Sequence, residues 1–250
     1  MARAAALVGS RRVRVDELLV QRGDAKDLTS ARALIMAGRV HGDGRRYTQA
    51  GLQIAGDAEL SVKEVRKYAS RGGEKLIAPL DVWPIRVDGR VCLDVGASTG
   101  GFTDVLLRRG AQRVYAVDVG YGQLAETLRQ DERVISLDRT HICELPTLPD
   151  APELVTVDVS FIGLRQVLPC VAEATSAQAD VVALVKPQFE APPSDVDERG
   201  VVRDRLAQGR ALSNVLSWAV ERQWRVGGVL RSPLAGPAGN REWFVWLRTP

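Results

Sequence analysis

The sequence predicts an α/β protein of the Rossmann-like, doubly wound class, and three features of residues 91–124 carry this prediction. A β-branched apolar run ends in Asp94 and then breaks into a turn of very small residues at 96–101. Apolar residues at helical spacing follow the turn. A second strand, at residues 114–117, ends in Asp118, 24 residues after Asp94. A strand, a glycine turn, a helix and a strand that ends in an acid together form a layout that holds a nucleoside.

The turn differs from the dinucleotide fingerprint G-x-G-x-x-G, because Ala, Ser and Thr follow its first glycine. Asp94 lies at the mouth of the turn, where a carboxylate would repel a diphosphate and attract an ammonium. S-adenosylmethionine carries an amine, a sulfonium and a ribose but no phosphate, so the charge pattern favours this cofactor over NAD. The alternative is an ordinary strand-to-helix turn, which would not explain the spacing of Asp118.

The candidate cofactor site extends from this turn to the end of a third strand at residues 134–137. The turn is expected to line the methionine and the ribose, and Asp118 to bind the ribose hydroxyls. Asp138 is expected to accept from the adenine amino group, with a loop cap as the alternative. The predicted cofactor-binding residues are Asp94, Gly96, Ala97, Ser98, Thr99, Gly100, Gly101, Phe102, Asp118, Val119, Gln123 and Asp138.

Composition indicates a soluble protein of two parts. The 250 residues are 26% charged and 45% apolar, and no apolar run approaches the roughly 18 residues of a membrane span. The apolar stretch at residues 1–9 is too short for a signal peptide, so a cytoplasmic location is expected. Residues 1–66 carry 12 Lys and Arg against 8 Asp and Glu, whereas the rest of the chain is near neutral. A small basic amino-terminal part favours polyanion binding, with a merely solvated surface as the alternative.

The cysteines and histidines predict no metal site. Cys92, Cys143 and Cys170 are odd in number, widely spaced and on apolar segments, so we expect small core side chains and no disulfide. With only His41 and His141 in the chain, zinc chemistry is not expected.

The amino-terminal part predicts two helices followed by a hairpin. Apolar residues at helical spacing begin at Val15, and a second helix is expected after an N-cap at Thr29 or Ser30. The turn at residues 42–44 then joins two short strands. This pattern resembles the small RNA-binding module first named from ribosomal protein S-four. The candidate phosphate contacts are Arg12, Arg14, Arg32, Arg39, Arg45 and Arg46.

The second half of the chain predicts further strands that end in charged residues. A strand at residues 154–157 leads to Asp158, and one at residues 179–185 leads to Lys186. Because parallel strands open onto one carboxyl-edge crevice, these two side chains are expected to lie near each other and near the cofactor. Glu242 is expected to enter the last strand, and Lys75 to precede a helix at residues 76–82.

Six sequence blocks resemble the TlyA group of ribosomal-RNA 2′-O-methyltransferases, related to the FtsJ-like ribose methyltransferases: SRGGEKL, CLDVGASTGGFTDVLL, VDVGYGQL, VDVSFIGL, LVKPQFE and GNREWFVWL. The resemblance implies an RNA-binding domain at residues 1–66, a short linker at 67–70, and a seven-stranded S-adenosylmethionine-dependent methyltransferase domain at 71–250. It also implies methylation of a ribose 2′-hydroxyl, expected to belong to a cytidine, in ribosomal RNA or ribosomal subunits. The implied catalytic tetrad is Lys75, Asp158, Lys186 and Glu242.

The chemistry of such a tetrad follows from the weakness of a ribose hydroxyl as a nucleophile. Lys186 is the expected central group, acting as a base if neutral or stabilising the developing oxyanion if charged. A plain ion-pair network is the alternative for these four charges. Two other functions are a non-catalytic ribosome-binding or assembly factor and, given the family's historical label, a haemolysin. A monomer without membrane contact is expected.

Overall fold

The computed structural model describes residues 11–63 and 67–250, which fall into two compact units, Met1–Val65 and Arg66–Pro250. The apolar stretch at residues 1–9 and the predicted boundary at residue 66 lie outside the described residues. Among the residues described, no helix is long and apolar enough to cross a membrane.

The first unit is a small α/β fold around one apolar core. Helix α1 (Val15–Gln21) and helix α2 (Leu28–Met36) pack together through buried side chains that include Leu19 and Ile35. Asp27, not Thr29 or Ser30, caps α2: its carboxylate accepts the Ser30 N–H, and the Ser30 hydroxyl accepts the Asp27 N–H. This reciprocal pair of hydrogen bonds satisfies two backbone N–H groups, and the helix therefore begins at Leu28, earlier in the chain than predicted. The elements are β1 (Arg12–Arg14), α1 (Val15–Gln21), α2 (Leu28–Met36), β2 (Val40–Gly42), β3 (Arg45–Tyr47), β4 (Gln53–Ala55) and β5 (Ser61–Val62), with β1 paired to β4 and a sheet of order β3-β2-β5.

The second unit is built on a seven-stranded sheet of order β11-β12-β10-β9-β6-β7-β8. Strands β6 to β10 are parallel to one another, and β12 lies antiparallel between β10 and β11, so that β12 alone runs against the other strands of the sheet. The predicted fold class is therefore confirmed. The strands are β6 (Val91–Val95), β7 (Arg113–Asp118), β8 (Val134–Asp138), β9 (Leu154–Val157), β10 (Asp180–Val185), β11 (Arg225–Arg231) and β12 (Trp243–Arg248).

Helices cover both faces of this sheet and give it two apolar cores. Helix α3 begins at Arg71, earlier than predicted, because the Ser70 hydroxyl accepts the Gly72 N–H as an N-cap. Lys75 therefore lies inside the helix rather than before it. The helices are α3 (Arg71–Val82), α4 (Gly101–Arg108), α5 (Glu126–Arg129), α6 (Leu164–Glu173), α7 (Pro187–Glu190) and α8 (Arg205–Glu221), with 3₁₀ turns at Ile142–Glu144 and Pro193–Asp195.

The residues predicted as a linker, 67–70, pack on the second unit. Tyr68 is buried in its core, and the Ala69 N–H donates to Asp104 Oδ2 over 2.9 Å. Together with the Ser70 cap, these contacts fix the start of α3.

The cysteine prediction is wrong for one pair, because Cys143 and Cys170 form a disulfide. Cys143 lies in the 3₁₀ turn and Cys170 on α6, and the fold brings their Cα atoms to 4.9 Å. The two residues are 27 positions apart, so their spacing carried no signal of this contact. Cys92 is a buried free thiol, as predicted.

The strand order reverses between β6 and β9, and their carboxyl ends lie side by side. Val95 pairs with Val157, so the chain leaves both strands at the same point of the sheet edge. In open α/β sheets, ligands bind at this kind of switch point. The loops that follow Val95 and Val157 are therefore the first candidates for a ligand site.

Candidate active site

A cavity of about 310 Å³ opens at this switch point. The start of α3, the glycine turn, the loop after β9, the end of β10 and the turn before β12 all contribute to its walls. The lining residues are Ser70, Arg71, Gly72, Lys75, Gly96, Ala97, Ser98, Thr99, Gly101, Phe102, Asp158, Ser160, Lys186, Leu234, Ala235 and Pro237. Six of the predicted cofactor residues and three of the predicted catalytic residues thus face one space.

The glycine turn is shaped by backbone conformations that few residues adopt. Gly96 has a φ of +82°, and a Cβ at this position would lie 2.6 Å from the Asp158 carbonyl oxygen. Ser98 and Gly100 also have positive φ. The glycine at position 96 is therefore required both by the conformation and by the close approach of the loop after β9.

Asp118 holds the turn through backbone hydrogen bonds. Its carboxylate accepts the Ser98 N–H at 2.8 Å and the Gly120 N–H at 2.7 Å. The Ser98 hydroxyl donates to Gln123 over 3.2 Å. A carboxylate can accept more bonds than these, so Asp118 keeps acceptor capacity for a ligand. Gly100 and Gln123 support the turn without lining the cavity.

A second cavity, of about 210 Å³, lies beside the first, and Ser160 lines both. Its walls are mostly apolar side chains, with Asp118 at the border. The lining residues are Val95, Val117, Asp118, Val119, Thr140, His141, Ile142, Val159, Ser160, Ile162 and Val167. The lining of this cavity suits an apolar group.

Asp94 does not lie at the mouth of the turn, where the sequence predicted it. Its side chain is 0% exposed and accepts the hydroxyls of Thr103 at 2.7 Å and Thr156 at 2.9 Å. Burial raises the pKa of Asp94 to about 6, against the lowering effect of the two hydroxyls. Direct contact with a ligand ammonium is therefore not what this geometry provides.

Asp138 lines neither cavity. Its carboxylate accepts the Gly122 N–H at 3.0 Å and pairs with Arg129 at 3.1 Å. The Gly122 bond is the largest of the effects that lower the pKa of Asp138. The loop-cap alternative fits these contacts better than an adenine contact does.

The four tetrad residues form two ion pairs. Lys75 Nζ donates to Glu242 Oε2 at 2.6 Å, and Glu242 is 1% exposed. Lys186 Nζ lies 2.7 Å from Asp158 Oδ1, although the angles are not those of a hydrogen bond. The Lys186 ammonium instead donates to Ser160 Oγ at 2.9 Å. Two ammonium groups thus face the cavity, each held by a carboxylate.

Sequence reasoning missed several cavity residues. Ser160 carries no recognisable signal on its own, and the turn at Leu234–Pro237 is too far along the chain from the glycine turn to be connected with it. The N-cap at Ser70 could have been found, because a serine followed by glycines before an amphipathic stretch is typical of a helix start. Among the described residues, no group of His, Cys, Asp and Glu could hold a metal ion.

In the first unit, two of the candidate arginines converge on one buried carboxylate. Arg14 donates two hydrogen bonds to Asp16, at 2.9 and 2.7 Å, and Arg32 Nε donates to the same group at 3.0 Å. Asp16 is fully buried, and its pKa is lowered to about 2, mainly by the Arg14 hydrogen bonds. These arginines are therefore part of the fold of this unit as well as candidates for RNA contact.

The other candidates lie at the surface with fewer constraints. Arg12 donates to the Gln53 carbonyl at 2.8 Å, and Arg45 lies over the Tyr47 ring at 4.9 Å. Arg46 is exposed and Arg39 half-buried.

Comparison with known proteins places this geometry in a family. The FtsJ-like methyltransferase family matches residues 68–249. Over 246 residues the chain is 47% identical to the 16S/23S rRNA (cytidine-2′-O)-methyltransferase TlyA of Mycobacterium tuberculosis, covering 96% of this chain and 91% of that protein. A solved structure described as a hemolysin from Streptococcus thermophilus is 39% identical, with a TM-score of 0.72 over 95% of this chain and 88% of that one.

A more distant structure agrees in fold alone. An S-adenosylmethionine dependent methyltransferase from Listeria monocytogenes has 15% identity and a TM-score of 0.54, over 72% of this chain and 100% of that one. The close relative covers nearly the whole chain, and the family match spans the second unit. The chain therefore belongs to the FtsJ-like methyltransferases and, within them, to the TlyA proteins.

Proposed function

We propose that this methyltransferase transfers a methyl group from S-adenosylmethionine to a ribose 2′-hydroxyl, that of a cytidine, in ribosomal RNA. One observation carries the proposal: the Lys186 ammonium faces the same 310 Å³ cavity as the glycine turn. The nucleotide preference follows the name of the Mycobacterium tuberculosis relative. A ribosomal RNA substrate also agrees with the cytoplasmic location expected from the sequence.

The two adjoining cavities fit S-adenosylmethionine. Small side chains in the turn leave room for the methionine part, and Asp118 is placed to accept the ribose hydroxyls. The apolar walls around Val119 and Ile142 suit the adenine, so we assign the base to the second cavity rather than to Asp138. When bound, the cofactor would supply an electrophilic methyl group beside Ser160, where the cavities meet.

The tetrad supplies what a 2′-hydroxyl lacks, namely orientation and stabilisation of the charge that develops on its oxygen. We infer that Lys186 contacts the hydroxyl, because its amine faces the cavity with Asp158 Oδ1 2.7 Å away. An ammonium at this point would stabilise the negative charge that develops on the 2′-oxygen, and the hydroxyl proton would pass to the neighbouring Asp158 carboxylate as the methyl group leaves the sulfonium for the oxygen. Lys75 adds a second positive charge to the cavity, and Glu242 holds it there. Positioning of this kind contributes several kcal/mol to a rate enhancement, of order 7–11 kcal/mol in the best intramolecular cases.

The first unit is proposed to bind structured RNA through its exposed arginines. Guanidinium groups fit phosphate oxygens in a forked geometry, and Arg12, Arg45 and Arg46 are all exposed. The same unit holds the net positive charge of residues 1–66, which supports contact with a polyanion.

The test is transfer of a labelled methyl group from S-adenosylmethionine to purified ribosomal subunits that lack the modification, with identification of the product nucleoside. Wild type is expected to form 2′-O-methylcytidine, and Lys186→Ala is expected to form none while still binding the cofactor. The control is Arg225→Ala, an exposed residue on β11, which should be as active as wild type.

Two results would point elsewhere. Protein that binds cofactor and subunits but transfers nothing would favour a non-catalytic ribosome-binding factor. Lysis of red cells by highly purified protein would favour the activity in the name of the Streptococcus thermophilus relative.

A further inference from the structure

Ser160 lies where the two cavities meet and directly contacts the central lysine. It lines both cavities, and its Oγ accepts a hydrogen bond from Lys186 Nζ at 2.9 Å. It follows Asp158 by two residues, so one short loop carries both groups that face the ammonium. Ser160 is not one of the four tetrad residues, so the roles given to them do not explain its contact with Lys186.

The hydrogen bond to Ser160 constrains the direction of the ammonium more than the ion pair does. The 2.7 Å contact between Lys186 and Asp158 Oδ1 is electrostatic, and that oxygen has no aligned donor among the described residues. Coulomb attraction depends weakly on angle, whereas a hydrogen bond weakens steeply when it is misaligned. The lysine ammonium lies at the end of a flexible four-carbon chain and carries three N–H donors. A partner that fixes the direction of one donor therefore restricts the directions of the other two.

The loop that carries Ser160 is anchored at both ends. The Asp158 N–H donates to the Val95 carbonyl at 2.9 Å, and the Leu164 N–H donates to Glu190 Oε1 at 2.6 Å. Between these anchors Phe161 has a φ of +66°, and its ring packs against Phe189 at 5.4 Å between centroids. Glu190 and Phe189 belong to α7, which follows Lys186 directly. The serine and the lysine are thus held by the same pair of segments.

We propose that Ser160 is a positioning residue for methyl transfer: it orients the Lys186 ammonium so that a remaining N–H points to the place where the target hydroxyl meets the methyl group. Because the hydrogen bond to Ser160 fixes the direction of one Lys186 N–H, the directions of the two remaining N–H groups are restricted, and the cavity that Lys186 lines is where they can meet a ligand. The proposal rests on the proposed function, since it assumes that Lys186 contacts the 2′-oxygen.

Ser160→Ala, Ser160→Thr and Ser213→Ala separate this role from a general effect on folding. Ser213 is an exposed serine on α8 and serves as the matched control. Ser160→Ala is expected to lower kcat on ribosomal subunits about tenfold, with the KM for subunits and the Kd for S-adenosylmethionine changed less than about twofold. Ser160→Thr keeps a hydroxyl on the same backbone and is expected to recover most of kcat. Ser213→Ala should match wild type.

The outcomes distinguish a failure of the role proposed for Ser160 from a failure of the proposed methyltransferase function. Wild-type kcat in Ser160→Ala, with Lys186→Ala inactive, overturns the role of Ser160 and leaves the proposed function standing. A parallel loss of cofactor affinity in Ser160→Ala also overturns it, because the serine would then be a cofactor contact. Absence of transfer by wild type overturns both.

Discussion

Replacing Asp94 by asparagine tests the electrostatics beneath the glycine turn. The side chain is 0% exposed, and burial raises its pKa from the ordinary 3.8 to about 6. A difference of about 2 pKa units corresponds to about 3 kcal/mol between the protonation states of the folded and unfolded chains. Asparagine has nearly the same shape and does not titrate, so it removes this contribution alone.

The direction of the change in stability with pH follows from which state, folded or unfolded, binds the proton. Between pH 3.8 and about 6 the folded carboxyl is protonated while the unfolded one is not. The folded state therefore binds more protons, and the free energy of unfolding falls as pH rises through this window. The wild-type protein loses about 3 kcal/mol in this way by neutral pH, of which about 2 kcal/mol is lost above about pH 4.5. The free energy of unfolding of Asp94→Asn does not show this decrease, because asparagine does not titrate.

Urea unfolding of both proteins at about pH 4.5 and about pH 7.5 measures the effect. The stability of Asp94→Asn relative to wild type is expected to rise by about 2 kcal/mol between the two pH values. The part of the cost of substitution that does not depend on pH, such as a change in shape beside the hydroxyls of Thr103 and Thr156, contributes equally at both pH values and cancels. Asp88→Asn, at a side chain 74% exposed, is the control. An equal stability difference at both pH values would refute the reasoning.

Three further predictions concern the second and first units. Double replacement of the disulfide cysteines by alanine should lower the free energy of unfolding of the second unit by about 3.5 kcal/mol, the loop-entropy value for a 27-residue separation, as measured by urea unfolding without reductant. Gly96→Ala should weaken cofactor binding, measured by calorimetry, because its Cβ would lie 2.6 Å from a carbonyl oxygen. Its control is Gly209→Ala, where the Cβ would lie in open space on α8. This variant should bind the cofactor normally, and its free energy of unfolding should rise by about 1 kcal/mol. Arg12→Glu should weaken RNA binding and reduce its salt dependence while the fold stays intact. Arg14→Glu should lower the melting temperature, because it places a second negative charge beside the buried Asp16. Equal melting temperatures for Arg14→Glu and wild type would contradict the structural role of Arg14.

The sequence predicted the parts of the site that lie at strand ends. A buried parallel strand must point its carboxyl end to one edge of the sheet, so Asp158 and Lys186 were expected to lie together, and the structure places them 2.7 Å apart. The glycine turn was found for a related reason: a turn of tiny residues between an apolar strand and a helix is typical of a backbone that approaches a ligand closely. These inferences need only the local pattern and the direction of the strands.

Side-chain burial and long-range contacts were beyond that reasoning. Asp94 reads as a strand-end acid, yet its place beneath the turn depends on Thr103 and Thr156, which the sequence does not connect with it. The disulfide depends on the packing of α6 over the 3₁₀ turn. Asp138 was assigned from its place at a strand end; its carboxylate accepts the Gly122 N–H, and its contact with the adenine amino group stays a prediction.

The two ion pairs of the tetrad differ in exposure, and this difference divides their roles. The side chain of Glu242 is 1% exposed and does not line the cavity, whereas that of Asp158 is 20% exposed and does. Glu242 contacts Lys75 over 2.6 Å, and Lys75 is the member of this pair that lines the cavity. A buried carboxylate without its partner would cost several kcal/mol, so removal of Lys75 alone is expected to destabilise the contact between α3 and the residues just before β12. Lys186 and Asp158 both line the cavity that the glycine turn lines, with side chains 10% and 20% exposed, so a substrate in this cavity can contact both members of this pair.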